Sequence, residues 1–567
     1  MCGIAGILHF RGSVDREELD KFTDSLAHRG PDGRGTFIDK GIGLGHRRLA
    51  ILDLSEAGKC PMSYGGTDGK RFWITYNGEI YNFLELRNEL KSLGYNFRTE
   101  TDTEVILASY EQWGKDCLFR FNGMWAFGIW DSLERKLFIA RDRFGIKPLY
   151  YSAMPDRFIF ASELKAFTSL KKFPLSLNTD IIPFIIQNPA TYEGTTDQTL
   201  MKGVRRLLAG RYLTVHENGS LQITKWWETS SHIPLIPNIY EEQVEQFREI
   251  FFDAVRIRMR SDVAIGTCLS GGIDSSSVAC AMSKIYRSSN NTDLERCPIN
   301  WQQTFIATFP GTRIDEKDYA DEVVKYINAK PNYWIFDEND ALNHLIDSVW
   351  AMEDVYGGIA VPTWCLYREL RCNNVVVSLD GHGGDELLGG YTWYLDWPMN
   401  QVNQNLYNDF HYTLLPAILR NFDRCSMAHG IEVRMPFMDW RIVTFSFGLQ
   451  PDAKIGGGFT KRILRDSMYN IVPDKILKRV NKIGFNLPMI EWFNGGMKTL
   501  IEKVTSHKLW LESPFWDGRA LRDQILAKTN AQKWTYNDWG TTLHVWTLMN
   551  VVLWQMLFVE KDIKTIQ

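Results

Sequence analysis

"MCGIAGILHF", residues 1–10, sets a thiol directly behind the initiator methionine and follows it with a short apolar run built on Gly3 and Gly6. A free cysteine ordinarily behaves as a small hydrophobe, and on a strand it would simply be buried. The second position changes that reading. Removal of Met1, expected when the next residue is small, leaves Cys2 with an α-amine of reference pKa near ~7.7 to 8.0, able to act as a base near neutral pH. One residue then carries both nucleophile and base, and thiolate attack on a carbonyl carbon splits a hard amide hydrolysis into two easier steps through a thioester.

The opening stretch reads as a strand, and similar runs follow it: "GIGLGHRRLAIL" (41–52), "FWITYNGEIYN" (72–82), "NGMWAFGIWD" (122–131), "KLFIARDRFG" (136–145), "PLYYSAM" (148–154) and "RFIFASE" (157–163). They alternate apolar with polar residues or are rich in β-branched and aromatic side chains, as half-buried strands demand. Helical stretches interrupt them at "FLELRNELKSLG" (83–94), closed by Gly94, and at "DTEVILASYEQWG" (102–114), capped by Thr101 or Asp102 and closed by Gly114. Strands and helices in blocks predict an α+β layer fold.

At 567 residues the chain exceeds what one core supports, so about two to four domains are expected. Charged residues make up 23% and the net charge is −4, which excludes a global field toward nucleic acid or an anionic membrane. The nine cysteines show neither CxxC pairs nor the Cys/His spacing of zinc sites, and no cationic, apolar leader precedes them; this composition points to a reducing cytoplasm. The most lipid-like segment, Leu543 to Val559, carries His544, Thr547, Asn550 and Gln555, so it reads as a core helix rather than a membrane span.

"WWETSSHIPLIPNIYEEQ" (226–243) breaks the aromatic strand pattern and places a linker at 228–239. Beyond it, "VAIGTCLS" (263–270), a glycine turn, "DSSSVACAMSKIY" (274–286), "TFIATF" (304–309) and "VVVSLDG" (375–381) give the βαβ alternation of a parallel sheet. From about residue 390 the chain is mostly helical and rich in tryptophan.

Three constellations carry chemistry. A tetrahedral oxyanion formed at Cys2 needs donors held ready, and "YNGEIYN" (76–82) offers the Asn77 amide and Gly78, whose backbone can approach closely. "SGGIDSS" (270–276), between a strand and a helix, lets backbone N–H groups and hydroxyls crowd an anion at the positive end of a helix. It lacks the lysine of a Walker A loop and is not GxGxxG. An ionised Asp274 in that cradle would repel phosphate unless a divalent cation lay between, so the loop calls for Mg²⁺. "SLDGHGGDELLGGY" (378–391) again ends a strand and offers Asp385 and Glu386; Asp274 with Asp385 would complete the cation site from two loops, for Mg²⁺-ATP.

Met1-Cys2-Gly3-Ile4, "HRGPDG" (28–33), "HRRLAILDLS" (46–55), "YNGEIYN", "TDTEV" (101–105) and "RDRFGIKPLYY" (141–151) are similar, in order and spacing, to the class II glutamine amidotransferase domain of N-terminal-nucleophile hydrolases. SGGIDSS resembles the motif of the ATP pyrophosphatase superfamily. Within it, "DGHGGDELLGGY" (380–391), "DRCSMAHGIEVRMPFMDWR" (423–441) and "FTKRILRDSM" (459–468) resemble the C-terminal domain of glutamine-hydrolysing asparagine synthetases. The resemblance implies an α+β N-terminal-nucleophile hydrolase sandwich over 1–227, a linker over 228–239, and an α/β parallel-sheet ATP-pyrophosphatase domain with a helical C-terminal part over 240–567.

It further implies that Cys2, Asn77, Gly78 and Lys461 are catalytic. Arg48, Asn77, Gly78, Glu79 and Asp102 would hold glutamine, the guanidinium fork taking the α-carboxylate and the carboxylates the α-ammonium. Leu269, Ser270, Gly271, Gly272, Asp274, Ser275, Ser276, Ala307, Asp380 and Gly381 would meet ATP and pyrophosphate, Asp274 and Asp385 the metal. Lys461 would neutralise charge at the reacting phosphorus or the departing pyrophosphate. His382 and Glu353 are placed on the acceptor side, and Arg424, His429, Glu432 and Arg434 read as scaffold or acceptor-pocket residues.

The implied activity is the adenylation of a carboxylate and its amidation by ammonia from glutamine, with AMP and pyrophosphate released and a dry passage between the sites. Aspartate leads as acceptor. His382, however, stands where asparagine synthetases usually carry glutamate, which removes a partner for an acceptor ammonium and opens a second reading, another carboxylate acceptor of natural-product or cell-surface biosynthesis. A non-catalytic regulatory protein and a stand-alone glutaminase are the remaining alternatives. Expected partners are glutamine, ATP and a carboxylic acid, without nucleic acid or membrane, and a homodimer is compatible with all of these.

Overall fold

The computed structural model describes residues 1–288, 296–480 and 489–562. Its first part holds twelve strands in two antiparallel sheets. They are β1 (Gly3–His9), β2 (Gly33–Asp39), β3 (Ile42–Arg48), β4 (Met62–Tyr64), β5 (Phe72–Ile80), β6 (Gly123–Asp131), β7 (Lys136–Arg141), β8 (Tyr150–Ala153), β9 (Arg157–Ala161), β10 (Arg205–Arg206), β11 (Arg211–His216) and β12 (Leu221–Lys225). One six-stranded sheet runs β10-β8-β9-β1-β3-β2, the other β12-β11-β7-β6-β5-β4.

The alternation read in the sequence becomes the inter-sheet core. Ile4 and Leu8 of β1 and Ile42 and Leu44 of β3 meet Ala126 and Trp130 of β6 and Leu137 and Ile139 of β7, all fully buried. The predicted helices are present as Phe83–Ser92 and Asp102–Trp113, and the Thr101 hydroxyl caps the second by accepting from the Glu104 N–H. Absent from the sequence reading are the four sheet edges, β2, β4, β10 and β12, and the interior strand β11. Edge strands are half solvated, so they lack the alternation that marks interior ones.

The second part is built on a five-stranded, wholly parallel sheet, β13 (Ile265–Cys268), β14 (Gln303–Thr308), β15 (Lys330–Ile335), β16 (Val377–Leu379) and β17 (Glu432–Arg434), in the order β15-β14-β13-β16-β17. The chain steps outward from β13 on one side and returns on the other at β16. The loops at 269–272 and 380–383 therefore leave adjacent strands at the carboxyl edge, where open parallel sheets open a crevice. The segment Tyr536–Glu560 is long and apolar enough to cross a membrane, yet 78% of its most apolar 18-residue stretch is buried in the protein. Trp546 Nε1 donates to the Gly358 carbonyl at 2.8 Å and Trp554 Nε1 to that of Glu353 at 2.7 Å, as befits a core helix.

The two parts are joined by buried charge. Arg29, ahead of β2, donates to Glu163 at 2.6 Å and forks onto Asp423 at 2.9 and 3.1 Å, while Arg424 donates to Asp423 at 2.6 Å and to Glu353 at 3.0 Å. Lys165 spans Glu163 at 2.8 Å and Glu353 at 3.1 Å, and Arg206 reaches Asp354 at 3.0 Å. Against burial, which favours the neutral acid, Arg29 and Lys147 hold Asp423 down at about 2. Removing one partner of such a group strands the others without water. Asp423→Ala should lower stability by about 3–5 kcal/mol, read as a fall in the urea midpoint, whereas Lys21→Ala, which breaks the exposed pair with Glu17, should leave the midpoint unmoved.

Candidate active site

Cys2 enters β1 held from both sides. Its backbone N–H donates to Asn77 Oδ1 at 3.0 Å, and its carbonyl accepts from Arg29 Nε at 3.1 Å. Asn77 lies in β5, fully buried, and among the described residues its Nδ2 has no hydrogen-bond partner. A buried amide with an unused donor, fixed by its own oxygen beside the thiol, is what an oxyanion requires. Gly78 follows at φ +157°, so tight against β6 that a Cβ would stand 2.1 Å from the Met124 carbonyl oxygen; glycine is the residue that lets β5 pass there.

Arg48, at the end of β3, is aimed by the Ser55 carbonyl at 2.7 Å and by that of Asp53. Asp102 opens the helix behind Thr101, and its Oδ2 accepts from the Ile80 N–H at 2.9 Å and the Tyr76 hydroxyl at 2.8 Å. Cys2, Arg48, Gly78, Glu79 and Asp102, scattered over a hundred residues of chain, line one pocket together with Met1. Burial pushes the Cys2 thiol up, and the chain's α-ammonium and Arg48 oppose it without cancelling it, so the sulfur needs a base to lose its proton. Burial likewise raises Glu79 and Asp102, with the Glu432 carboxylate adding to both. His46 is held neutral by burial, its pKa about 3, and its Nδ1 meets Thr75 Oγ1 at 3.2 Å.

The second cluster lies at the carboxyl edge of the parallel sheet. Ser270 Oγ meets Ser275 Oγ at 3.1 Å and accepts from the Gly272 N–H at 3.2 Å, closing the loop ahead of the helix Ile273–Ser288. The Lys461 ammonium sits between the two carboxylates expected to hold metal, 2.6 Å from Asp385 Oδ1 and in contact with Asp274 Oδ2. A Cβ on Gly390 would lie 2.1 Å from Lys461 Cε, so glycine there lets the lysine through. Lys461 itself has the left-handed backbone at φ +55°, uncommon for a residue with a side chain. Leu269 is buried, its N–H on the Phe305 carbonyl at 2.8 Å, and Ala307 lies in the neighbouring β14. Asp380 is buried, accepting from the Cys268 N–H at 3.0 Å, Ser378 Oγ at 2.6 Å and the Tyr367 hydroxyl at 2.8 Å, and a Cβ on Gly381 would abut the Asp274 backbone at 2.7 Å.

His382 stacks on Phe422 with ring centroids 3.4 Å apart, and its Nε2 stands 3.4 Å from both Asp380 Oδ2 and the Tyr367 hydroxyl. Glu353, expected on the acceptor side, lies at the junction of the two parts. Its oxygens accept from the Leu164 and Lys165 N–H groups at 3.0 Å each, from Arg424 at 3.0 Å and from Lys165 Nζ at 3.1 Å, which saturates a carboxylate. Arg424, Glu432 and Arg434 are buried at the same junction, and His429 packs edge-on against Trp364.

Sequence reasoning missed Glu316, Arg465 and Arg479, which line the cleft with Ser270, Gly272 and Lys461. Arg465 follows Lys461 by four residues, one helical turn, and that spacing could have found it. Arg479 pairs with Glu316 across more than 160 positions, and nothing local signals that pair.

Residues 1–227 match the glutamine amidotransferase domain family, and residues 246–402 and 397–555 match the asparagine synthase family. The chain is 26% identical to asparagine synthetase [glutamine-hydrolyzing] 1 of Bacillus subtilis (strain 168), over 99% of this chain and 97% of that one. It is 28% identical to asparagine synthetase [glutamine-hydrolyzing] 3 of the same organism, over 84% and 86% of the two chains. It is also 27% identical to amidase chyE of Penicillium rubens, over 82% of this chain and 74% of that one.

Proposed function

Because the chain belongs to the glutamine-hydrolysing asparagine synthetase family, we propose that it is an ATP-dependent carbon–nitrogen ligase that draws ammonia from glutamine and amidates a carboxylate. The observation that carries the reading is the convergence of Cys2, Arg48, Gly78, Glu79 and Asp102 on one pocket, with the spare Asn77 donor beside the thiol. We take 1–227 as the glutaminase unit, 228–239 as the linker and 240–567 as the synthetase unit.

In the first unit, Arg48 takes the α-carboxylate of glutamine, and Glu79 and Asp102 take its α-ammonium. The Cys2 thiol passes its proton to its own α-amine, and the sulfur attacks the side-chain carbonyl carbon. Asn77 Nδ2 and the Gly78 N–H receive the oxyanion. Collapse of that intermediate breaks the carbon–nitrogen bond, the proton moves to the leaving nitrogen, and water then frees glutamate from the thioester.

In the second unit, the backbone of Leu269 and Ala307 borders the base. The 270–276 loop, with Ser275 and Ser276, and the Asp380-Gly381 turn cradle the phosphates. Asp274 and Asp385 are hard oxygen donors converging on one cationic atom, so they fit Mg²⁺. Among the described residues no third His, Cys, Asp or Glu joins them, so substrate phosphates and water would fill the shell. The cation, when bound, neutralises phosphate charge. The acceptor carboxylate displaces pyrophosphate from the α-phosphorus, Lys461 offsets the charge that develops, and ammonia then attacks the acyl carbon and expels AMP.

Aspartate leads as acceptor on the strength of the family. His382 supports a different carboxylate, since an imidazole paired with Asp380 offers no carboxylate to an α-ammonium. A panel of carboxylic acids, assayed for glutamine-dependent AMP release, tests the whole reading: AMP formation with no acid overturns it. His382→Glu should shift preference about tenfold toward acids carrying an α-ammonium, measured as the ratio of kcat/KM values between aspartate and the best acid of the panel. We place the enzyme in the cytoplasm, acting on small molecules.

A further inference from the structure

Glu432 belongs to β17 of the second part, yet it ends at the glutaminase pocket. Its Oε1 accepts from Arg434 Nε at 2.6 Å, and its Oε2 lies 3.2 Å from the α-ammonium of Met1; both side chains of the latter pair are fully buried. Met1 is itself a wall of the pocket that holds Cys2. Among the described residues, no hydrogen-bond partner of Glu432 Oε2 is found, so this one ion pair is what satisfies it. The neighbouring charges are Arg434, which also faces Glu79 at 3.7 Å, Lys147, and the Glu79 and Asp102 carboxylates.

Loss of Met1, which the chemistry of Cys2 requires, moves the α-amine one residue along to Cys2, whose nitrogen donates to Asn77 Oδ1, and takes it away from the place it held at Glu432. A wholly buried carboxylate oxygen is then left beside the nucleophile, held rigid by Arg434 and facing the volume the methionine occupied. Such an atom is costly to leave unpaired. The reaction at Cys2 liberates, within that same pocket, a small nitrogen species whose hydrogens suit it.

We propose that Glu432 is the seat of the ammonia released from glutamine, a binding site for ammonia or ammonium that the synthetase half contributes to the glutaminase pocket. The α-ammonium of Met1 stands where the released nitrogen docks, on the side of the pocket that faces the second part. No covalent step is involved: the nitrogen, freed when the carbon–nitrogen bond breaks, donates a hydrogen to Oε2 and is kept from solvent until it moves on. The proposal rests on the amidotransferase reading above.

The test uses the full-length, methionine-processed protein carrying Glu432→Gln, which keeps the volume and removes the charge. Two ratios are read: AMP formed per glutamate formed under glutamine feeding, and the AMP rate fed by ammonium chloride over that fed by glutamine. The first should fall about fivefold and the second should rise by the same factor. A structural defect moves glutamate and AMP formation together; unchanged ratios, or a parallel loss, overturn the proposal. Glu432→Asp, which keeps the charge but withdraws it by one methylene, should give intermediate ratios and serves if the glutamine variant does not fold. Should the unsubstituted enzyme form no AMP from glutamine and any acid, the amidotransferase reading itself has failed; should it couple well and Glu432→Gln couple equally well, only the present inference has.

Discussion

Cys2→Ser should lower glutamate formation from glutamine by on the order of 10³-fold or more, while ammonium chloride continues to drive AMP formation. The substitution changes one atom in a pocket whose other groups stay in place. Asn77 Oδ1 still accepts from the nitrogen of residue 2, and Arg48 is still aimed by its carbonyls. What is lost is acidity. An α-amine with a pKa near ~8 takes a proton from a thiol far more readily than from an aliphatic hydroxyl. Coupled assays of glutamate and AMP on the same samples check the outcome, and equal loss of both products would count against two separate reactions. Intact mass should show the active chain without Met1.

Lys461→Met should reduce AMP formation by about 10²- to 10³-fold while glutamate formation from glutamine persists. Methionine keeps much of the length of the side chain and removes the charge between Asp274 and Asp385. Without that ammonium the charge that develops at the reacting phosphorus loses its partner. Exchange of labelled pyrophosphate into ATP, in the presence of the best acid of the panel, isolates the step. If exchange survives in Lys461→Met, the lysine is a scaffold residue.

Much of both candidate sites was legible because each rests on a short contiguous signal. Cys2, Asn77-Gly78 and Ser270 to Ser276 are dense in residues that make little sense as packing, and their local geometry follows from strand ends and glycine turns. Most interior strands were legible for a related reason, since burial on one face imposes alternation; β11 was the exception. The junction was not legible. Arg29 meets Asp423 across 394 positions, and Glu353 meets the backbone at 164 and 165, so no window of sequence contains both partners. Glu353 was expected beside the acceptor because its neighbours resemble that region; its four donors, from both parts of the chain, could not be read from that stretch. The same blindness hid the contact of Glu432 with the Met1 ammonium, across more than 400 positions.

The salt lattice at the junction also constrains how the two parts can change over time. With charges this deeply enclosed, a single replacement at Arg29, Glu163, Lys165, Glu353, Asp423 or Arg424 is penalised, whereas a compensated exchange of two partners need not be. The halves are thereby bound to drift in step. Grafting the front half of one relative onto the back half of another should yield soluble chimaeras only when these six positions travel as a set.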